Sequence, residues 1–219
     1  DGADNLNYRY NLECNCVRIE TVRPFFSSIH YGEKNNLFSY ENFYKPYYPG
    51  IDNYIRMQNR REQLLKEGKI TLEEIVSLRS LEGYLSSDKL PLPCQEELLL
   101  NVEKALKYNN YDLIFIDEYL YFNFEIIDNK VVCLELRLSD EMQEDRIRKM
   151  YIYLYNQTII DDFREERKYL SKKALKSITN SQLVELLLKT ISGGPEEIKG
   201  VFAKIRDREK KLLELSSDW

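Results

Sequence analysis

Residues 119–138 read YLYFNFEIIDNKVVCLELRL and carry the clearest local pattern of the chain. On each side of residues 128–130 the apolar side chains recur at every second position, a period that is typical of β-strands. A three-residue turn at 128–130 places Phe124 opposite Leu134 and keeps one face apolar, whereas a two-residue turn mixes the faces. The stretch therefore predicts a β-hairpin whose apolar face buries Phe122, Phe124, Leu134 and Leu136.

The same period predicts a strand near residues 8–20, and the patterns of most other segments predict helices. Thr71 and Glu74 have the spacing of a capping box and predict the start of a helix. Gly193-Gly194 followed by Pro195 predicts the end of one helix and the start of the next. The remaining predicted helices cover 51–67, about 94–108, about 140–175, 181–191 and 195–215.

These elements predict an α+β fold that is mainly helical, with a small antiparallel sheet made of the strand near 8–20 and the hairpin 119–138. Two regions are expected. Residues 1–138 form an α+β domain that contains an aromatic loop, three helices and the hairpin. Residues 139–219 form a helical region packed on the same core.

Charge is unevenly distributed along the 219 residues, whose net charge is −5. Residues 1–138 carry 22 acidic and 16 basic side chains, and residues 139–219 carry 15 and 16. An acidic excess disfavours nucleic acids and anionic membranes as partners, because both are negatively charged. No apolar run reaches the roughly 20 residues that span a bilayer, so a soluble, cytoplasmic protein is the default expectation.

The residue types exclude most catalytic templates. The four cysteines show no CxxC spacing, and His30 is the single histidine, so neither a zinc site nor another cofactor is predicted. Asp128, Glu135 and Arg137 depart from the PD-(D/E)xK nuclease pattern, because Asp128 falls in the turn and an arginine replaces the lysine. Glu135 and Arg137 are expected on a solvated face of the hairpin. A metal-dependent phosphodiesterase or nuclease-like enzyme that uses carboxylates near the hairpin is kept as an alternative.

A row of cations is the second alternative. Arg164, Lys168, Lys172 and Lys176 recur every four residues and would line one face of a continuous helix. Such a stripe can contact phosphates, although Glu165 beside it favours intrahelical ion pairs instead. Nucleic-acid binding through 164–176 is therefore the weaker hypothesis.

The preferred hypothesis rests on an aromatic-rich segment. Residues 25–48 contain nine aromatic side chains among residues that interrupt regular structure. Tyrosine is enriched at protein interfaces because it combines a large rigid surface with a hydrogen-bonding tip. We therefore predict a non-catalytic protein-binding module, of an inhibitor or immunity type, for a basic partner. The predicted contact residues are Tyr40, Tyr44, Tyr47 and Tyr48.

Overall fold

The computed structural model describes residues 15–20, 51–87, 92–120, 122–138 and 148–217. These residues form six strands: β1 Cys16–Glu20, β2 Leu72–Ser77, β3 Tyr111–Ile116, β4 Asn123–Ile127, β5 Val131–Leu138 and β6 Arg148–Leu154. They also form six α-helices: α1 Ile51–Lys66, α2 Leu78–Leu85, α3 Leu92–Ala105, α4 Gln157–Ser171, α5 Asn180–Thr190 and α6 Pro195–Ser217. A 3₁₀ turn, Ile191–Gly193, joins α5 to α6.

All six strands belong to one sheet with the order β3-β2-β1-β4-β5-β6. β1, β2 and β3 are parallel, whereas β4, β5 and β6 are antiparallel to their neighbours. Parallel neighbours need crossover connections, and α1 lies between β1 and β2, with α2 and α3 between β2 and β3. The α+β class is confirmed, but the predicted small antiparallel sheet is wrong because the sheet is mixed and has six strands.

The hairpin has the predicted register. Phe124 pairs with Leu134, and the turn between the strands holds three residues. Asp128 and Asn129 have φ of 47° and 58°, a left-handed conformation that these two residue types tolerate better than most. The predicted burial is only partly right: Phe124 is 2% exposed, but Phe122 is 45% exposed.

Two predicted helices are right only in their later parts, which contain α2 and α4. The segment that begins at Thr71 is not capped as a helix, because residues 72–77 form β2 between β1 and β3. Within the helix predicted over 140–175, residues Arg148–Leu154 form β6 and pair with β5. α4 then starts after Asn156, whose side chain accepts the backbone N–H of Ile159 at 3.3 Å. Partner strands therefore override the local helical signals in both places.

Glycine and proline punctuation is confirmed at two helix ends. α1 ends at Lys66, and Gly68 follows with φ of 69°. Gly194 has φ of 85°, and Pro195 begins α6 with Glu196 and Glu197 in its first turn. Carboxylates at that end face the positive pole of the helix dipole.

The two faces of the sheet are packed differently. On one face, which we call the covered face, strand residues such as Leu72 and Phe115 share a core with residues of α1, α2, α3, α5 and α6. On the other, the open face, Ile75, Phe124 and Ile126 form a smaller cluster with Ile160 and Leu170 of α4. Among the described residues, α4 is the helix that packs on the open face.

The predicted division after residue 138 stays a prediction. β5 and β6 pair across it, with Val132 opposite Leu154 and Leu138 opposite Arg148. Residues from both sides also contribute to the core of the covered face.

None of the described helices is long and apolar enough to cross a membrane.

Candidate functional site

The open face carries an apolar groove between α4 and the edge strand β6. Across the strands, Leu134 lies opposite Ile152 and Leu136 lies opposite Met150. Met150 is 42% exposed, and Leu134, Leu136 and Ile152 are half-buried. Together with Phe122 these residues form a continuous apolar floor, which we call the sheet groove.

The floor of the sheet groove spans three strands. Its floor runs from β4 to β6, which is two interstrand spacings, or about 10 Å. An α-helix with its side chains is about 10–12 Å across. Phe163 of α4 already lies against the β4 side of this floor, so the part farthest from α4 lies on β5 and β6.

α4 forms one wall of the groove. The Phe163 ring lies 4.7 Å from that of Phe124 and 6.4 Å from that of Phe122, centroid to centroid, so this position of the helix points to β4. Successive helical residues are rotated by about 100°, which places Asp162 and Glu166 on the flank beside the groove. Both side chains are exposed. Within the described ranges neither forms an ion pair, so this wall keeps two uncompensated negative charges.

The opposite flank of α4 has its charges compensated. Arg164 contacts Asp161 at 2.9 Å, and Lys168 contacts Glu165 at 2.6 Å. Arg167 donates two hydrogen bonds to Glu73 of β2, one of them from Nε to Oε1 at 2.7 Å. The helix is therefore electrostatically asymmetric, with free carboxylates only on the side of the sheet groove among these residues.

The compensated flank also shifts several pKa values. The side-chain hydrogen bond to Glu73 raises the pKa of Arg167. Partial burial, followed by the nearby Glu73 carboxylate, raises the pKa of Asp112 on β3. Hydrogen bonds from Gln157 and Arg164 lower the pKa of Asp161. The charged groups on this side of α4 are therefore already engaged with partners.

Two exposed tyrosines near the carboxyl end of β3 and the end of α4 are each paired with a cation. The Arg79 guanidinium lies 5.0 Å from the centre of the Tyr119 ring, and the Lys173 ammonium lies 4.6 Å from that of Tyr169. Arg79 is neutralised by Asp117 at 3.0 Å, and Lys173 by Glu118. These aromatic rings remain available to a partner, since Tyr119 is 62% exposed and Tyr169 is 50% exposed.

The predicted contact residues Tyr40, Tyr44, Tyr47 and Tyr48 lie outside the described residues, so their role stays a prediction.

The predicted cationic stripe is described, and its geometry differs from the expectation. α4 ends at Ser171 with Lys172 as its C-cap, so Lys176 does not continue the face that Arg164 and Lys168 begin. The first two cations are ion-paired on α4, and the last two line a different cleft.

The hairpin carboxylates are not brought together. Asp128 lies in the turn, where its side chain accepts the backbone N–H of Asn15 at 2.9 Å. Glu135 lies four residues beyond Val131 along β5, which corresponds to about 13 Å. In the part of the chain that the structure describes, no three metal-ligating side chains are placed to hold an ion.

Glu135 also does not lie on a solvated face, which corrects the expectation for the hairpin. Glu125 and Glu135 are each 8% exposed on the covered face, and Glu74 of β2 is fully buried there. The Tyr111 hydroxyl donates to Glu74 at 2.5 Å. The alternation of the hairpin locates Glu125 and Glu135 on one face, but no local signal shows that this face is covered.

No protein-family model matches the chain, and no curated protein sequence matches it significantly. The geometry of the site therefore carries the functional argument.

Proposed function

We propose that this chain is a non-catalytic protein-binding module that receives a basic, amphipathic helical segment of a partner protein in the sheet groove. The supporting observation is the combination of an exposed apolar floor with uncompensated carboxylates along one wall. A helix that carries leucine-like residues on one side and lysines or arginines on the next matches both features. The proposal retains a basic partner and adds a surface made of described residues.

The apolar floor would supply most of the affinity. Exposed apolar side chains that lie next to one another mark interaction surfaces more often than scattered ones do. Phe122 is the natural anchor, because its ring already packs on Phe124 and Phe163 and needs little ordering on binding.

The carboxylate wall would supply selectivity and orientation. Charged groups at the edge of an interface steer encounter and reject partners of like charge more than they add affinity. Asp162 and Glu166 lie one helical turn apart, so they match cations spaced by three or four residues on the partner helix. An acidic helix with the same apolar face would be repelled.

The test uses a synthetic helical peptide with leucines on one face and lysines and arginines on the other, and its binding is measured by fluorescence anisotropy. We expect Phe122→Asp and Met150→Asp each to weaken binding about tenfold or more, since each places a charge in the apolar floor. Leu100→Asp is the matched control, because Leu100 of α3 is 49% exposed outside the groove. Equal binding by all three variants contradicts the proposal.

A second pair of variants separates the wall from general electrostatics. Asp162→Asn with Glu166→Gln removes two charges from the groove side of α4. Asp161→Asn with Glu165→Gln removes two charges from the other flank of the same helix. We expect only the first pair to weaken binding of the basic peptide. An acidic version of the peptide is expected not to bind the wild type. Equal weakening of peptide binding by both pairs would indicate attraction to the acidic chain as a whole. That result would contradict the role of the carboxylate wall.

A further inference from the structure

A second cleft lies at the carboxyl ends of β2 and β3, and it does not depend on the sheet groove. Its volume is about 490 Å³, within the range of small-ligand sites. Arg79 of α2 and Asp117 after β3 line one side, and residues 172–176 and α6 line the other. The carboxyl ends of parallel strands are a common position for ligand sites in sheets flanked by helices. We call it the lysine cleft.

The carboxylates that line the lysine cleft are already occupied. Asp117 accepts from Arg79 at 3.0 Å, and Glu118 accepts from Lys173. Asp207 contacts Lys211 at 2.7 Å. These acids therefore contribute little net negative charge to the cleft.

Glu209 is engaged in a different way. Its buried carboxylate accepts the backbone N–H groups of Lys176 at 3.0 Å and Ser177 at 2.9 Å. The Leu175 N–H also donates to the Phe115 carbonyl at 3.0 Å. These bonds hold residues 175–177 in place and thereby position the backbone from which the Lys176 side chain extends.

Two lysines of the cleft remain uncompensated. Lys172 and Lys176 are exposed, and within the described residues neither has an acidic partner. A third lysine, Lys210, forms an ion pair with Glu214 at 3.9 Å. Ammonium groups that converge on a concave surface focus a positive potential and raise the local concentration of anions.

The walls between these charges are apolar. Ala174, Leu175 and Leu213 line the cleft beside the aliphatic stems of the lysines. The exposed Tyr119 ring lies over Arg79 at one side of it. A ligand that fills the cleft therefore needs an anionic head and an aromatic or apolar body.

We propose that the lysine cleft binds a small phosphomonoester that carries an aromatic group. Lysine is a frequent phosphate ligand because its compact charge and three donors adapt to the phosphate oxygens. Nucleic acid fits the cleft less well, because Arg164 and Lys168 are ion-paired on the other flank of α4 and do not extend the cationic surface.

Binding of phenyl phosphate to the full chain, measured by calorimetry, tests the proposal. Lys172→Ala with Lys176→Ala should weaken it about tenfold or more, because two charged hydrogen bonds are lost. Lys189→Ala with Lys204→Ala is the matched control, since both lysines are exposed and lie outside the cleft. This control should bind like the wild type, and all three proteins should have the same thermal midpoint.

Three outcomes overturn the proposal. Equal weakening by the two double variants shows that only total charge matters. Inorganic phosphate binding as tightly as phenyl phosphate shows that the apolar walls contribute nothing. The third is that a single-stranded oligonucleotide binds more tightly than phenyl phosphate and that this binding is lost in the Lys172→Ala, Lys176→Ala variant. This result assigns the cleft to nucleic acid instead.

Discussion

The two faces of the sheet differ in how completely helices cover them. Helices α1, α2, α3, α5 and α6 contribute to a continuous core on the covered face, where Phe115 and Phe202 are almost completely buried. On the open face, α4 packs against a smaller cluster and leaves Phe122 and Met150 exposed beside it. The covered face therefore holds the larger core, and the open face leaves apolar side chains exposed.

The largest expected effect tests this division directly. Phe202→Ala should lower the free energy of unfolding by about 3–5 kcal/mol, because the ring is buried and its removal leaves a cavity. Phe122→Ala, on the open face, should cost less than about 1 kcal/mol, because nearly half of its ring surface is already in water. Urea denaturation of both variants measures the difference. Similar losses would show that Phe122 supports the core and is not free for a partner.

An intermediate effect is expected where the chain passes from one face to the other. Residues 172–179 lead from α4 to α5, and Glu209 of α6 binds their backbone N–H groups. Glu209→Gln should cost about 1.5–3 kcal/mol in urea denaturation, because charged hydrogen bonds become neutral and an amide N–H₂ faces N–H donors.

Asp207→Asn serves as the control for Glu209→Gln. Asp207 is on the same helix but exposed, and its contact with Lys211 is a surface ion pair. Such pairs contribute at most about 1 kcal/mol. Hydrogen exchange of the amides of Lys176 and Ser177 should accelerate only in Glu209→Gln. Unchanged exchange there would show that the connection is held by other contacts.

The smallest expected effect concerns the pH dependence of the open face. Because the pKa of Asp112 is raised, its ionised form is disfavoured in the folded protein, and this cost appears as pH rises through the folded pKa. Asp112→Asn should therefore stabilise the fold at about pH 7. The gain should vanish below the unfolded pKa of about 3.9.

Asp161 supplies the opposite sign. Its pKa is lowered, so the ionised form stabilises the fold above the unfolded pKa, and that contribution is lost as pH falls through the folded pKa. Asp161→Asn should therefore destabilise the fold slightly at about pH 7 and have no effect once the carboxylate is protonated in both states. Thermal midpoints recorded across pH test both variants, and the same sign in both would contradict the assigned environments.

Features that depend on neighbouring residues could be predicted from the amino-acid sequence. Alternation around the turn predicts the pairing of Phe124 with Leu134, because a slip of one residue exchanges the two faces of a strand. Gly194 and Pro195 predict the junction of α5 and α6, because one tolerates a positive φ and the other fits the first helical position. These are steric properties of the residues themselves.

Features that depend on residues far apart in the chain could not be predicted from local patterns. Residues 72–77 form a strand because β1 and β3 supply their hydrogen bonds, although Thr71 and Glu74 have the spacing of a capping box. Glu135 is 8% exposed although it stands on the polar side of the alternating pattern, and no pattern within the hairpin reveals its burial. The sheet groove exists because the helices are shared unequally between the two faces. Long-range packing sets this unequal distribution. The alternation of residues in a strand indicates that it has two faces, but it does not indicate which element covers each face.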